Sequence, residues 1–124
     1  MSRDKNIPSE EEFVKASEAL SKRSRGLSVI RGEILKKFQD KNIYEFFIFD
    51  ISEYSFKAYV FFRWNKQLKE LSKTNLSVEI ENFIYRQLED SGRGKKKDLQ
   101  LKIEFDSHEN VERNYGGDYF SRLK

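Results

Sequence analysis

Cysteine is missing from this chain of 124 residues, and histidine and proline each occur only once. Without cysteine there is no disulfide framework, no thiolate nucleophile and no Cys-ligated zinc or iron–sulfur cluster. The single histidine, His108, excludes a metal site built from several imidazoles. These absences remove most catalytic chemistry that a short motif could reveal, and we expect neither a cofactor nor a metal.

Long apolar runs are also missing. The longest apolar stretches, at Phe46–Phe49 and Tyr59–Phe62, are short and broken by charge. A membrane-spanning helix needs about 18 or more consecutive apolar residues, so we expect none here. The first residues contain no apolar stretch that could act as a signal peptide. We therefore expect a cytoplasmic protein that does not contact a membrane.

Aromatic residues make up 15% of the sequence and charged residues 36%, an aromatic content too high for an intrinsically disordered chain. A chain of this length typically forms one domain. We assign residues 1–124 to that domain, with residues 1–8 expected to be flexible. The polar tail, residues 107–124, carries several aromatic and aliphatic side chains, and we expect it to dock on the core.

Periodicity predicts about four helices. A capping box of Ser9 and Glu12 starts the first of them. Apolar residues then recur every three or four positions, as expected for helices that bury one face. The predicted helices are Ser9–Lys22, Ser28–Lys41, a short helix after Asn65, and Ser77–Asp90.

Three segments rich in aromatic and β-branched residues predict strands: Ile43–Ile51, Phe56–Arg63 and Leu99–Asp106. The first is apolar on both faces, which predicts a central strand, and the third alternates, which predicts one solvated face. Asp118–Arg122 is predicted as a short edge strand. The order of elements predicts an α+β fold, with a small, mainly antiparallel sheet of three or four strands covered by helices.

His108 lies between Asp106 and Glu109 and is the one candidate for a general base. No serine lies in a nucleophile-elbow pattern, and the carboxylates lack the spacing of an EF-hand loop. The segment Ser91–Lys97 differs from a phosphate-binding loop in its glycine spacing and in lacking a Ser or Thr after the lysine. We therefore expect a protein that is not an enzyme.

Charge is distributed unevenly around a net value of +3. Residues 98–118 contain two basic and six acidic residues, a local charge of −4, together with aromatic side chains. An acidic surface with aromatic anchors suits a basic protein partner, because charge steers association and aromatic groups supply much of the binding energy.

The segments YEFFIFDI, FKAYVFFRW, EIENFIYRQLED and LKIEFDSHENVERNYGGDYFSRL resemble bacterial immunity proteins, which accompany polymorphic toxins such as those of contact-dependent growth inhibition. The resemblance extends over Ile43–Leu123. It implies a protein that binds a cognate toxin domain and blocks its active site or substrate surface. Many such toxins are nucleases that act on tRNA or DNA, so we expect a nuclease partner. The family has no common catalytic residues to transfer. The net charge of +3 departs from the acidity that is common among nuclease inhibitors.

Two sets of candidate binding residues follow. The predicted toxin-binding residues lie in the acidic, aromatic segment: Glu104, Asp106, His108, Glu109, Glu112, Tyr115, Asp118 and Tyr119. The alternative is a small RNA- or DNA-binding module that uses two basic turns: Lys22, Arg23, Arg25, Arg93, Lys95, Lys96 and Lys97. An ordinary solvated surface explains any one of these residues equally well. The sequence does not distinguish a monomer from a dimer.

Overall fold

The computed structural model describes residues 27–124. The predicted flexible start, the predicted helix Ser9–Lys22 and the basic turn at Lys22–Arg25 lie outside the described residues. Between 27 and 124, no helix is both long enough and apolar enough to cross a lipid bilayer. The elements are α1 (Leu27–Lys37), β1 (Ile43–Ser52), β2 (Ser55–Phe62), α2 (Asn65–Leu71), α3 (Leu76–Asp90), β3 (Gln100–Ser107), α4 (His108–Tyr115) and α5 (Tyr119–Leu123).

The three strands form one sheet in the order β1-β2-β3, and the predicted α+β class is confirmed. A tight turn joins β1 to β2 as an antiparallel hairpin. The chain then passes through α2 and α3 before β3 pairs with β2 in the parallel direction, a connection that needs such a crossover.

Two predictions about the sheet are wrong. The strand β1 lies at an edge rather than in the centre, because β3 returns to pair with β2 on the far side. Phe49 and Ile51 lie on the face of β1 that points away from the core, and both are exposed. The segment Asp118–Arg122 is not an edge strand, since α5 occupies it and the Asp118 carboxylate accepts a hydrogen bond from the Phe120 N–H at the start of that helix.

The hydrophobic core lies between one face of the sheet and the helices α1 and α3. Each helix contributes residues spaced by three or four positions, among them Ile30 and Ile34 of α1 and Ile84 and Leu88 of α3. Fully burying one such side chain stabilises the fold by about 1.5–3 kcal/mol. The core face of the sheet comprises Phe46, Ile48, Phe56, Ala58, Val60, Phe62, Leu101, Ile103 and Phe105.

The opposite face of the sheet is partly covered by the C-terminal helix α5. Its Tyr119 ring packs against Phe61 and Phe47, with ring centroids 4.9 Å and 5.6 Å apart. One turn later, the guanidinium of Arg122 lies about 6 Å from the rings of Tyr59 and Phe61. The helix therefore docks through two side chains three positions apart, which brings the end of the chain to the carboxyl end of β3.

Candidate functional site

The end of β3 leads directly into α4, and side chains fix this junction. The Ser107 hydroxyl accepts a hydrogen bond from the Asn110 N–H at 3.0 Å and so caps the helix. It also bonds to the amide oxygen of Asn65, the first residue of α2. In turn, Glu109 accepts the Asn65 backbone N–H at 2.9 Å. The beginnings of α2 and α4 are therefore held together.

His108 is buried and is contacted on three sides. Its Nε2 lies 2.8 Å from a carboxylate oxygen of Glu112, and its Nδ1 lies 2.7 Å from the hydroxyl of Tyr119. Its ring stacks on Tyr44 with centroids 3.9 Å apart. In the neutral imidazole, Nε2–H donates to Glu112 and Nδ1 accepts the Tyr119 O–H. The histidine thus links β1, α4 and α5.

The row of carboxylate, imidazole and hydroxyl has the order of a catalytic triad. Its hydroxyl is poorly suited to act as a nucleophile, however. Burial, with a further contribution from the Glu45 carboxylate, raises the pKa of Tyr119 well above its ordinary value. A phenol that keeps its proton donates a stable hydrogen bond. The arrangement therefore fastens α5 to α4.

Arg122 neutralises two of the predicted acidic contacts. Its Nη2 donates to Glu104 at 2.7 Å, and its Nε donates to Asp106. Lys57 lies 3.4 Å from the other oxygen of Glu104. Hydrogen bonding to Arg122 lowers the pKa of Glu104, so this carboxylate stays ionised in the folded protein. Both cations lie outside residues 98–118, so the local charge of −4 overstates how acidic this surface is.

The predicted toxin-binding residues separate into two groups. The more enclosed residues are occupied by internal contacts: Glu104, Asp106, His108, Glu109 and Tyr119. Glu112, Tyr115 and Asp118 are exposed. Of these, Asp118 caps α5, and a hydrogen bond from Ser121 lowers its pKa. Glu112 presents 61% of its side chain to solvent while also holding His108.

An exposed stack lies next to His108 and was missed in the sequence. It comprises Tyr44, Arg63 and Trp64. The Arg63 guanidinium carbon lies 4.5 Å from the Trp64 ring centroid and 5.1 Å from that of Tyr44. Trp64 and Tyr44 are 48% and 46% exposed. Within residues 27–124, no carboxylate pairs with the Arg63 guanidinium. The pairing register of the β1–β2 hairpin brings these residues together, and the sequence alone did not predict that register.

A further aromatic group is exposed on α5. Phe120 follows Tyr119 but points away from the sheet, and it is 84% exposed. Single exposed aromatic side chains are normal on protein surfaces, so Phe120 alone does not mark a binding site. Phe120 belongs to the tail that the sequence marked as aromatic, and its position on the outer side of α5 becomes clear only once the helix is seen.

The basic loop lies at the other end of the sheet. The strand β2 has eight residues, which separates the two ends by about 26 Å. Lys96 donates to Asn82, and its ammonium lies over the Tyr85 ring, whereas Lys95 and Lys97 line an open depression with Tyr54 and Arg93. The structure therefore brings together three of the predicted nucleic-acid contacts. The remaining basic candidates, Lys22, Arg23 and Arg25, lie outside the described residues.

Comparisons with known proteins found no matching family model, curated protein or solved structure. The site is therefore interpreted from its own geometry. In the described part of the chain, no three His, Asp or Glu side chains lie close enough to hold a metal ion together.

Proposed function

We propose that this chain is an immunity protein, which acts in the cytoplasm by binding a cognate toxin domain, a nuclease, and occluding its active site or substrate surface. The observation that carries the proposal is the exposed stack of Tyr44, Arg63 and Trp64 on the buried His108. Trp, Tyr and Arg are the residue types most enriched among those that dominate protein-binding energy. All four residues lie in the segments that resemble immunity proteins.

The stack is rigidly supported. Tyr44 rests on the His108 ring, and His108 is held by Glu112 and Tyr119. The Trp64 backbone N–H donates to the Gln67 side chain at 2.7 Å, which fixes the start of α2. A surface ordered before binding loses less conformational entropy on association, and so retains more of its contact energy. The internal candidates, Asp106 among them, thus act by positioning the surface.

The exposed groups offer both charges to a partner. Arg63 has planar N–H donors that suit a carboxylate of the toxin. Glu112 presents an exposed carboxylate nearby, which suits a basic side chain from the substrate-binding surface of a nuclease. Tyr115 lies one turn further along α4, and Phe120 on α5 is a second aromatic contact. Inhibition by occlusion needs only this complementarity and no reaction.

The proposal is tested with the toxin domain encoded beside this gene, expressed with and without this chain. We expect Trp64→Ala to weaken the complex by about 30-fold, corresponding to about 2 kcal/mol, and to abolish protection of cells. Tyr54→Ala is the matched control, because Tyr54 is 52% exposed but lies at the other end of the sheet. Equal effects of the two variants would contradict the proposed surface. A purified chain that captures no protein partner, beside no toxin gene, would overturn the function.

A further inference from the structure

A second surface lies at the end of the sheet away from the exposed stack. We call it the basic depression, and it is formed by Tyr54, Arg93, Lys95 and Lys97. Tyr54 belongs to the turn between β1 and β2, and its carbonyl accepts the Gln100 N–H at 2.8 Å. This hydrogen bond joins the turn that carries Tyr54 to the start of β3, which follows the basic loop.

The shape of the loop is fixed by packing. Gly94 has φ of +134°, a value that L side chains rarely adopt, and a Cβ there would lie 3.2 Å from Leu99. Leu99 is buried in the core, so it has little room to move. The Tyr54 ring borders the same glycine. The loop therefore lies against the core and the turn, and its neighbouring lysines are exposed.

The charges in the depression are predominantly positive. Lys96 is turned aside towards Asn82 and Tyr85. Lys95 and Lys97 contact no acidic partner within the described residues, and Asp98 is the one acidic side chain among those that line the depression. An aromatic ring that is half exposed lies beside these cations. Cations that follow a phosphate backbone, combined with an aromatic ring on which a base stacks, are the features of single-strand binding surfaces.

We propose that the basic depression binds single-stranded nucleic acid, with Lys95 and Lys97 contacting phosphates and Tyr54 stacking on a base. A single strand fits better than a duplex, because stacking on Tyr54 requires a base with a free face. The depression is separated from the exposed stack by the length of β2, so the two surfaces bind their partners independently. This activity does not depend on the proposed toxin binding.

The test uses the full chain and a fluorescein-labelled oligouridylate of about twelve nucleotides, with anisotropy measured over a series of salt concentrations. For a single strand, each phosphate contact contributes about −0.7 to the slope of log K against log salt concentration. We expect a slope of about −1.4 from the two lysines. The double variant Lys95→Gln/Lys97→Gln should reduce its magnitude by about 1.4. Tyr54→Ala should lower the affinity about five-fold at every salt concentration.

Lys69→Gln/Lys73→Gln is the matched control, since it removes the same charge from α2 and the residues that follow it. If oligouridylate binding is unchanged in this control and in Trp64→Ala, the result supports the basic depression as the binding site. Three results would overturn it: no binding at about 50 mM salt, equal loss in the control, or full affinity in Tyr54→Ala. Binding to vesicles of phosphatidylglycerol in place of the oligonucleotide would also overturn it.

Discussion

Replacing Arg122 tests how the C-terminal helix is held on the sheet. Its side chain is 14% exposed and is shared between Asp106, which is 12% exposed, and Glu104, which is 41% exposed. Removing one partner of a buried ion pair costs about 3–5 kcal/mol, because the remaining charge is left without compensation. Glu104 keeps Lys57, and Asp106 keeps the Asn110 amide. We therefore expect Arg122→Gln to cost about 3 kcal/mol, the lower end of that range.

The effect should depend on pH in a defined direction. Because Arg122 lowers the pKa of Glu104, the ion pair stabilises the folded state at pH values above the ordinary Glu pKa. That contribution is lost as the pH falls through the lowered pKa of the folded state. The difference in unfolding free energy between the natural chain and Arg122→Gln should thus be full near pH 7. It should shrink as the pH is lowered from about 5 towards 2.

Urea unfolding followed by far-ultraviolet circular dichroism measures this difference. Arg113→Gln is the control, because Arg113 pairs with Glu109 on α4 but its side chain is 67% exposed. A surface pair of this kind contributes at most about 0.5 kcal/mol. The reasoning would be refuted if Arg122→Gln cost no more than Arg113→Gln. A cost that stayed constant down to pH 2 would refute the role assigned to the carboxylates.

Three further substitutions test other parts of the fold by the same urea measurement. Tyr119→Phe removes the hydroxyl that bonds His108 and should cost about 1–3 kcal/mol, because a buried ring nitrogen loses its partner. Tyr115 is exposed, so the control Tyr115→Phe should change stability by less than about 0.5 kcal/mol. Gly32→Ala should stabilise the protein by about 1 kcal/mol, because Gly32 lies within α1 and a Cβ there meets nothing within 4 Å. Gly94→Ala should destabilise it by about 1–3 kcal/mol, because its backbone conformation is strained for alanine and Leu99 is close; a stabilised Gly94→Ala variant would contradict the fixed loop.

Local patterns predicted most of the elements but not their arrangement. The spacing of Ile30 and Ile34 in α1 depends on neighbours in sequence and is confirmed. The alternation predicted for β3 holds only at its start, because Asp106, expected on the solvated face, is buried where Arg122 of α5 contacts it. The position of β1 depends on where β3 pairs, which is decided by packing across the whole α2–α3 crossover. The prediction of a central strand, which was based on the apolar second face of β1, was therefore wrong. Part of that face is covered by α5, and part stays exposed.

The C-terminal helix illustrates a signal that was present in the sequence but given the wrong interpretation. Tyr119 and Arg122 are three positions apart, the spacing of one helix face, and Asp118 is a good N-cap residue. Five residues are too few for periodicity to outweigh the aromatic content that favours a strand. The Arg122 contacts with Glu104 and Asp106 decide the outcome. They join residues far apart in sequence, so no local pattern contains them.

The segment that carries the family resemblance is mostly internal, and this bears on what it means. In FDSHENV, the side chains of Asp106, Ser107, His108 and Val111 are buried. Tyr119, in the YF pair, points at the sheet. The segment therefore determines how α4 and α5 pack onto the sheet, and this packing does not depend on a partner. Under the proposed function, the identity of the toxin would instead be set by exposed side chains such as Trp64 and Phe120. Exchanging these two for alanine should therefore change recognition while leaving the unfolding free energy within about 0.5 kcal/mol of the natural chain.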